Sequence, residues 1–106
     1  MSIQFLFFEG CPSHDDALHR LKTVMAEEGI HADIDIINVE TEEQALALHF
    51  AGSPTILIGG EDVAPVPPDA PYQLSCRIYH LENGRVSPLP SPHMIRHALR
   101  NHLASL

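Results

Sequence analysis

Ile3-Gln4-Phe5-Leu6-Phe7-Phe8-Glu9-Gly10-Cys11-Pro12-Ser13-His14-Asp15-Asp16 is the stretch on which the fold turns. Residues 3 to 8 form an apolar and aromatic run, which suits a strand buried on both faces. Gly10-Cys11-Pro12 breaks that run, and Pro12 fits the first position of a helix, where its missing N–H costs nothing. Asp15 and Asp16 then fall in the first turn, as the helix dipole prefers. Leu18, Leu21 and Met25 recur at helical spacing, flanked by Ala17 and Val24, and Gly29 supplies a stop. The first unit therefore reads as strand, tight turn, helix.

Working outward, residues 32 to 39 alternate and are rich in Ile and Val, which predicts a second strand parallel to the first. Thr41 and Gln44 have the spacing of a capping box for a short helix through Ala45, Leu46, Leu48 and His49, ending near Gly52. Ser53-Pro54 precedes a third strand, Thr55-Ile56-Leu57-Ile58. Gly59-Gly60 is a hairpin turn signal, and Glu61-Asp62-Val63 reads as a returning edge strand. A final helix starts at Ser91-Pro92, with an apolar face through Met94, Ile95, Ala98, Leu99, Leu103 and Leu106.

Seven of the nine prolines lie between Pro65 and Pro92, so residues 64 to 90 cannot be regular core structure throughout. Within that insert, residues 76 to 81 followed by Glu82-Asn83-Gly84 resemble a small hairpin. No internal repeat or low-complexity tract interrupts the chain. Its 106 residues make one α/β domain, with the insert placed before the last helix.

Six basic against fourteen acidic residues leave a formal charge of −8. That balance gives nucleic acid or anionic lipid no electrostatic footprint to hold. No apolar stretch reaches the length that spans a bilayer. The start of the chain has no basic head and no small-residue cleavage site, and Glu9 follows the apolar run at once, so a cytoplasmic protein is expected. Two cysteines, Cys11 and Cys76, are too few for a disulfide scaffold, and their thiols are expected to start out reduced.

The order βαβα, β-hairpin, terminal helix resembles the three-layer thioredoxin-like family, in a glutaredoxin-like arrangement with a single active-site cysteine. Two segments carry the resemblance. Gly10-Cys11-Pro12-Ser13-His14 stands where that family has its Cys-x-x-Cys, with His14 at the position of the second cysteine. Ser53-Pro54-Thr55 resembles the family's cis-proline segment, whose backbone is open to a bound peptide or thiol. The likeness covers residues 1 to 63 and 91 to 106. Gly10 to Pro12, Gly52 to Thr55 and Ser75 to Tyr79 together also resemble a group of small bacterial thioredoxin-like proteins, some labelled alkylmercury lyase-like.

The resemblance implies thiol redox chemistry with a thiol or disulfide substrate and no cofactor. Cys11 is the expected attacking thiolate, because a helix N-terminus stabilises the charged sulfur. Glu9, Asp15 and Asp16 oppose that charge, and a protonated His14 would offset them. The contrasting reading is an inert, half-buried thiol.

Cys76 has two placements. If residues 61 to 64 pair with the third strand, the chain emerges at the Cys11 end and Cys76 takes the missing resolving role. If residues 76 to 81 are the partner, Cys76 lies at the opposite end, too far to bridge. The Gly59-Gly60 turn favours the first.

Pro12, His14, Ser53, Pro54, Thr55, Arg77 and Tyr79 are the candidate substrate-contacting residues. Arg77 either supports a thiolate or, with Tyr79, faces outward from a short strand. His93 and His97 have a spacing that can hold Zn²⁺, but no third ligand accompanies them, and a solvated face is the simpler reading. Two further functions remain open: soft-metal binding by Cys11, Cys76 and His14, with an organomercurial-lyase variant using Asp15 as proton donor, and a non-catalytic interaction module using an exposed sheet edge.

Overall fold

The computed structural model describes residues 2–104 of the chain. Strand β1 (Ile3–Phe7) is the centre of a four-stranded mixed sheet and pairs on both sides. It runs parallel to β2 (Ile34–Asn38), with Ile3 opposite Ile34, and antiparallel to β3 (Thr55–Ile58), with Ile3 opposite Ile58. The hairpin at Gly59-Gly60 adds β4 (Glu61–Asp62), giving the order β2-β1-β3-β4. Both turn glycines have positive φ (61° and 82°), the requirement of a two-residue hairpin.

The period of two along β1 divides the core. Ile3 and Phe5 join Ile56 and Ile58 of β3 beneath Ala17, Leu21, Val24 and Met25 of α1 (His14–Glu27) and Ile95 and Leu99 of α3 (Pro92–Ala104). Leu6 faces the other way, into a smaller cluster with Val39, Phe50 and Ala45 of α2 (Glu42–Ala47). Leu74 of the insert packs on that second cluster. The domain is thus α/β, with α1 and α3 on one face of the sheet and α2 and part of the insert on the other. At the far end of the α1–α3 pair, Arg96 meets Glu27 at 2.7 Å and Arg100 meets Glu28 at 2.5 Å. The hydrogen bond from Arg100 holds the Glu28 carboxyl below its usual range.

Local signals largely fix these elements. Thr41 Oγ1 accepts from Gln44 N at 3.1 Å while Gln44 Oε1 accepts from Thr41 N at 3.1 Å, a complete capping box. Ser91 Oγ accepts from Met94 N at 3.1 Å and opens α3 where the sequence indicates. Gly29, at φ 68°, ends the first helical unit.

Several boundaries differ from expectation, and β1, β2 and β4 are each shorter than the runs 3–8, 32–39 and 61–63 read from the sequence. Helix α1 starts at His14 with Ser13 as its cap, so Pro12 lies before the helix; the first helical bond runs from Ala17 N to Ser13 O. Helix α2 stops at Ala47, well short of Gly52, because His49 takes a left-handed conformation at φ 54°. Of residues 76 to 81, only β5 (Tyr79–His80) is strand, paired with β6 (Val86–Ser87). Ile95 and Leu99 of the terminal apolar face are buried, Leu103 is exposed, and Leu106 lies outside the described residues. Among the described residues no helix is long and apolar enough to cross a membrane.

Candidate functional site

Cys11 sits in the turn that carries β1 into α1, fixed by its N–H donating to Phe8 O at 3.0 Å. It is only 2% exposed. The Ser53–Pro54 peptide beside it is cis, and both residues are buried. Phe8 N–H donates to Ser53 Oγ at 3.0 Å, tying the two loops together, and Ser53 O lies 3.5 Å from Cys11 Sγ. Thr55 Oγ1 donates to Gly52 O at 2.7 Å and closes the turn into β3. Ser13, which the sequence reading passed over, brings its Oγ to 3.7 Å from Cys11 Sγ.

The insert completes this site. Cys76 forms a disulfide with Cys11 across 65 residues, their Cα atoms 5.6 Å apart. The β3–β4 pairing sends the chain to the Cys11 end, as the Gly59-Gly60 turn favours. The insert returns across the Ser53 loop and brings Cys76 onto Cys11, so the two sulfurs stand as a pair. Ser53 N–H donates to Ser75 O at 2.8 Å and Arg77 N–H to Ser53 O at 2.9 Å, an isolated parallel bridge centred on Cys76. Gly52 makes this approach possible. A Cβ there would stand 3.0 Å from Arg77 N and Cα, and its φ of 127° suits glycine alone.

Arg77 and Tyr79 are inside, which corrects their reading as outward residues of a short strand. Arg77 is 7% exposed and donates through Nη1 to Asp62 Oδ2 at 2.6 Å and through Nη2 to Ala64 O at 3.1 Å. Its guanidinium lies 4.5 Å from the centre of the Tyr79 ring. Tyr79 OH donates to Pro54 O at 2.5 Å, and burial pushes its phenol well above the ordinary range. Arg77 therefore spends its charge on Asp62 and braces the insert against β4. Asp62, named only as an edge-strand residue by the sequence, is the missing partner; no local pattern links residues fifteen positions apart.

His14 does not turn toward the sulfurs. It stacks on Phe7, centroids 4.7 Å apart and planes at 2°, and its two shielded ring nitrogens have no hydrogen-bond partner. Pro12 is exposed at the rim. His93 and His97 stack at 6.1 Å on the outer face of α3, and His97 Nε2 meets Asn101 Nδ2 at 3.1 Å. Among the described residues no group of three or more His, Cys, Asp or Glu side chains is placed to hold a metal ion.

No family model matches the chain, and no curated protein or solved structure matches it either.

Proposed function

We propose that this is a thioredoxin-like thiol protein whose Cys11–Cys76 pair cycles between disulfide and dithiol in exchange with a thiol or disulfide substrate. The observation that carries this reading is the disulfide itself, lying at the mouth of α1 against the Ser53–Pro54 loop. The element order and sheet order favour the thioredoxin-like arrangement, with the second cysteine supplied by the insert instead of the first turn. His14 occupies the position at which a second cysteine would complete a local dithiol, and its stacking on Phe7 suits a packing role.

A second reading uses the same pair. Once reduced, two adjacent thiolates suit a soft ion such as Cu⁺ or Hg²⁺. Redox exchange is the better supported of the two, because the two sulfurs stand together as a bonded pair.

The test is equilibration of the folded protein in glutathione buffers of graded ratio, reading the Cys11–Cys76 bond by mass. A redox couple reduces and re-forms reversibly within the range spanned by thiol oxidoreductases, about −270 to −120 mV. A bond that stays closed below about −300 mV is a structural staple, and the proposal fails.

A further inference from the structure

The two sulfurs of the disulfide stand in unlike surroundings. Cys11 is buried, with Ser53 O at 3.5 Å and Ser13 Oγ at 3.7 Å from its Sγ. Cys76 is an exposed residue, and no hydrogen bond reaches its sulfur among the described residues. It also lines a groove of about 400 Å³ framed by Pro65, Pro67, Ala70, Pro71 and Ile78 of the insert. Although the chain carries a charge of −8, no Asp or Glu lines this groove, and Arg77 and His80 border it.

Thiol–disulfide exchange depends on which sulfur the incoming thiolate can reach and on how well the other sulfur leaves. Access points to Cys76, and the Ser13 hydroxyl beside Cys11 Sγ can serve a leaving thiolate there. We infer that the exchanging sulfur is Cys76, reached through the proline-framed groove by a low-molecular-weight thiol, and that Cys11 is the leaving sulfur. This rests on the redox reading above and reverses the polarity that the sequence suggests, in which Cys11 attacks and Cys76 resolves.

The step balances as follows. A thiolate RS⁻ bonds to Cys76 Sγ, the Cys76–Cys11 bond breaks, and its electron pair stays on Cys11 Sγ as thiolate. Ser13 Oγ–H is placed to donate to that thiolate; once protonated, Cys11 S–H faces Ser53 O. A second RS⁻ attacks the external sulfur of the mixed disulfide, forming RSSR and releasing Cys76 as thiolate. Two RSH are oxidised, two cysteine thiols are formed, and the two protons pass to them. Read backwards, the reduced protein attacks a disulfide with Cys76 and resolves with Cys11.

The experiment mixes oxidised full-length protein with limiting glutathione, quenches with acid and N-ethylmaleimide, and maps the adduct by digestion. Glutathione is expected on the peptide bearing Cys76, in about tenfold excess over the peptide bearing Cys11. A majority on Cys11 overturns the assignment while leaving the redox function standing. No reaction at either sulfur of the folded protein removes both. Ile78→Glu then tests the groove, since this side chain is 65% exposed and tolerates replacement. Exchange with glutathione, whose thiolate form is the more highly charged, should slow severalfold more than exchange with the singly charged thiolate of 2-mercaptoethanol. An unchanged glutathione rate places the approach elsewhere and overturns the groove.

Discussion

The sheet-and-helix frame and the proline-rich insert are held by different forces. In the frame, Ile3, Phe5, Leu21, Ile56, Ile95 and Leu99 bury one continuous apolar cluster, and each element contributes residues at its own period. Residues 64 to 90 carry no such period. Beside the packing of Leu74 and Leu89 on the two apolar clusters, a few specific pins hold them: the Cys11–Cys76 bond, the bridge to Ser53, the Arg77–Asp62 pair, the Tyr79–Pro54 hydrogen bond and the stack of Tyr72 on His49 at 4.9 Å. A frame built by burial loses stability in proportion to the apolar volume removed and fails as a whole. An insert held by pins fails pin by pin, and those pins converge on the Cys11–Cys76 pair.

The largest effect tests the frame. Leu99→Ala removes a fully buried side chain between α3 and the sheet, and should lower global stability by about 3 to 4 kcal/mol in denaturant titration. The Cys11–Cys76 bond should survive in the remaining folded fraction. A loss below about 1 kcal/mol would mean that α3 does not close the core.

Asp62→Asn comes next. It leaves Arg77 buried without its counter-charge, and such a loss costs about 3 kcal/mol. The signature that separates insert from frame is local. Limited proteolysis of the reduced protein should cut within residues 65–75 while the frame remains folded. Simultaneous loss of both would merge the two regions into one cooperative unit.

The smallest effect belongs to Tyr79→Phe, which deletes the hydrogen bond to Pro54 O and should cost about 1 kcal/mol near neutral pH. It also changes the alkaline limb. Burial raises the phenol's pKa in the folded state, so its contribution is fully present below the unfolded value of about 10 and is lost as pH rises from there toward the folded value. Stability curves of the wild type and Tyr79→Phe should therefore converge above pH about 10. Parallel curves would show that the phenol ionises as freely folded as unfolded.

The two regions were also unequally legible. The third strand and its hairpin, the capping box at Thr41 and Gln44, and the start of the last helix follow from spacing over two to four residues. Such signals survive in any fold that uses those elements. The pairing of Cys11 with Ser53-Pro54 came from another source, the resemblance of these two segments to the thioredoxin-like family, since they lie about forty residues apart and no local spacing joins them.

The insert was not legible in this way. Cys76 had two placements that only strand pairing separated. Arg77 had two readings, thiolate support or outward strand residue, and is instead a buried partner of Asp62. His14, read as an electrostatic aid to the thiol, turns to stack on Phe7.

Periodic burial and local turn chemistry, written in the sequence, determined an α/β domain with a cysteine at the first strand–helix turn. Tertiary structure alone decided that the sulfurs meet, that Cys11 is buried while Cys76 is open, and that Arg77 braces the insert. Those outcomes join residues 15 to 65 positions apart, where chain path and not local propensity sets who meets whom.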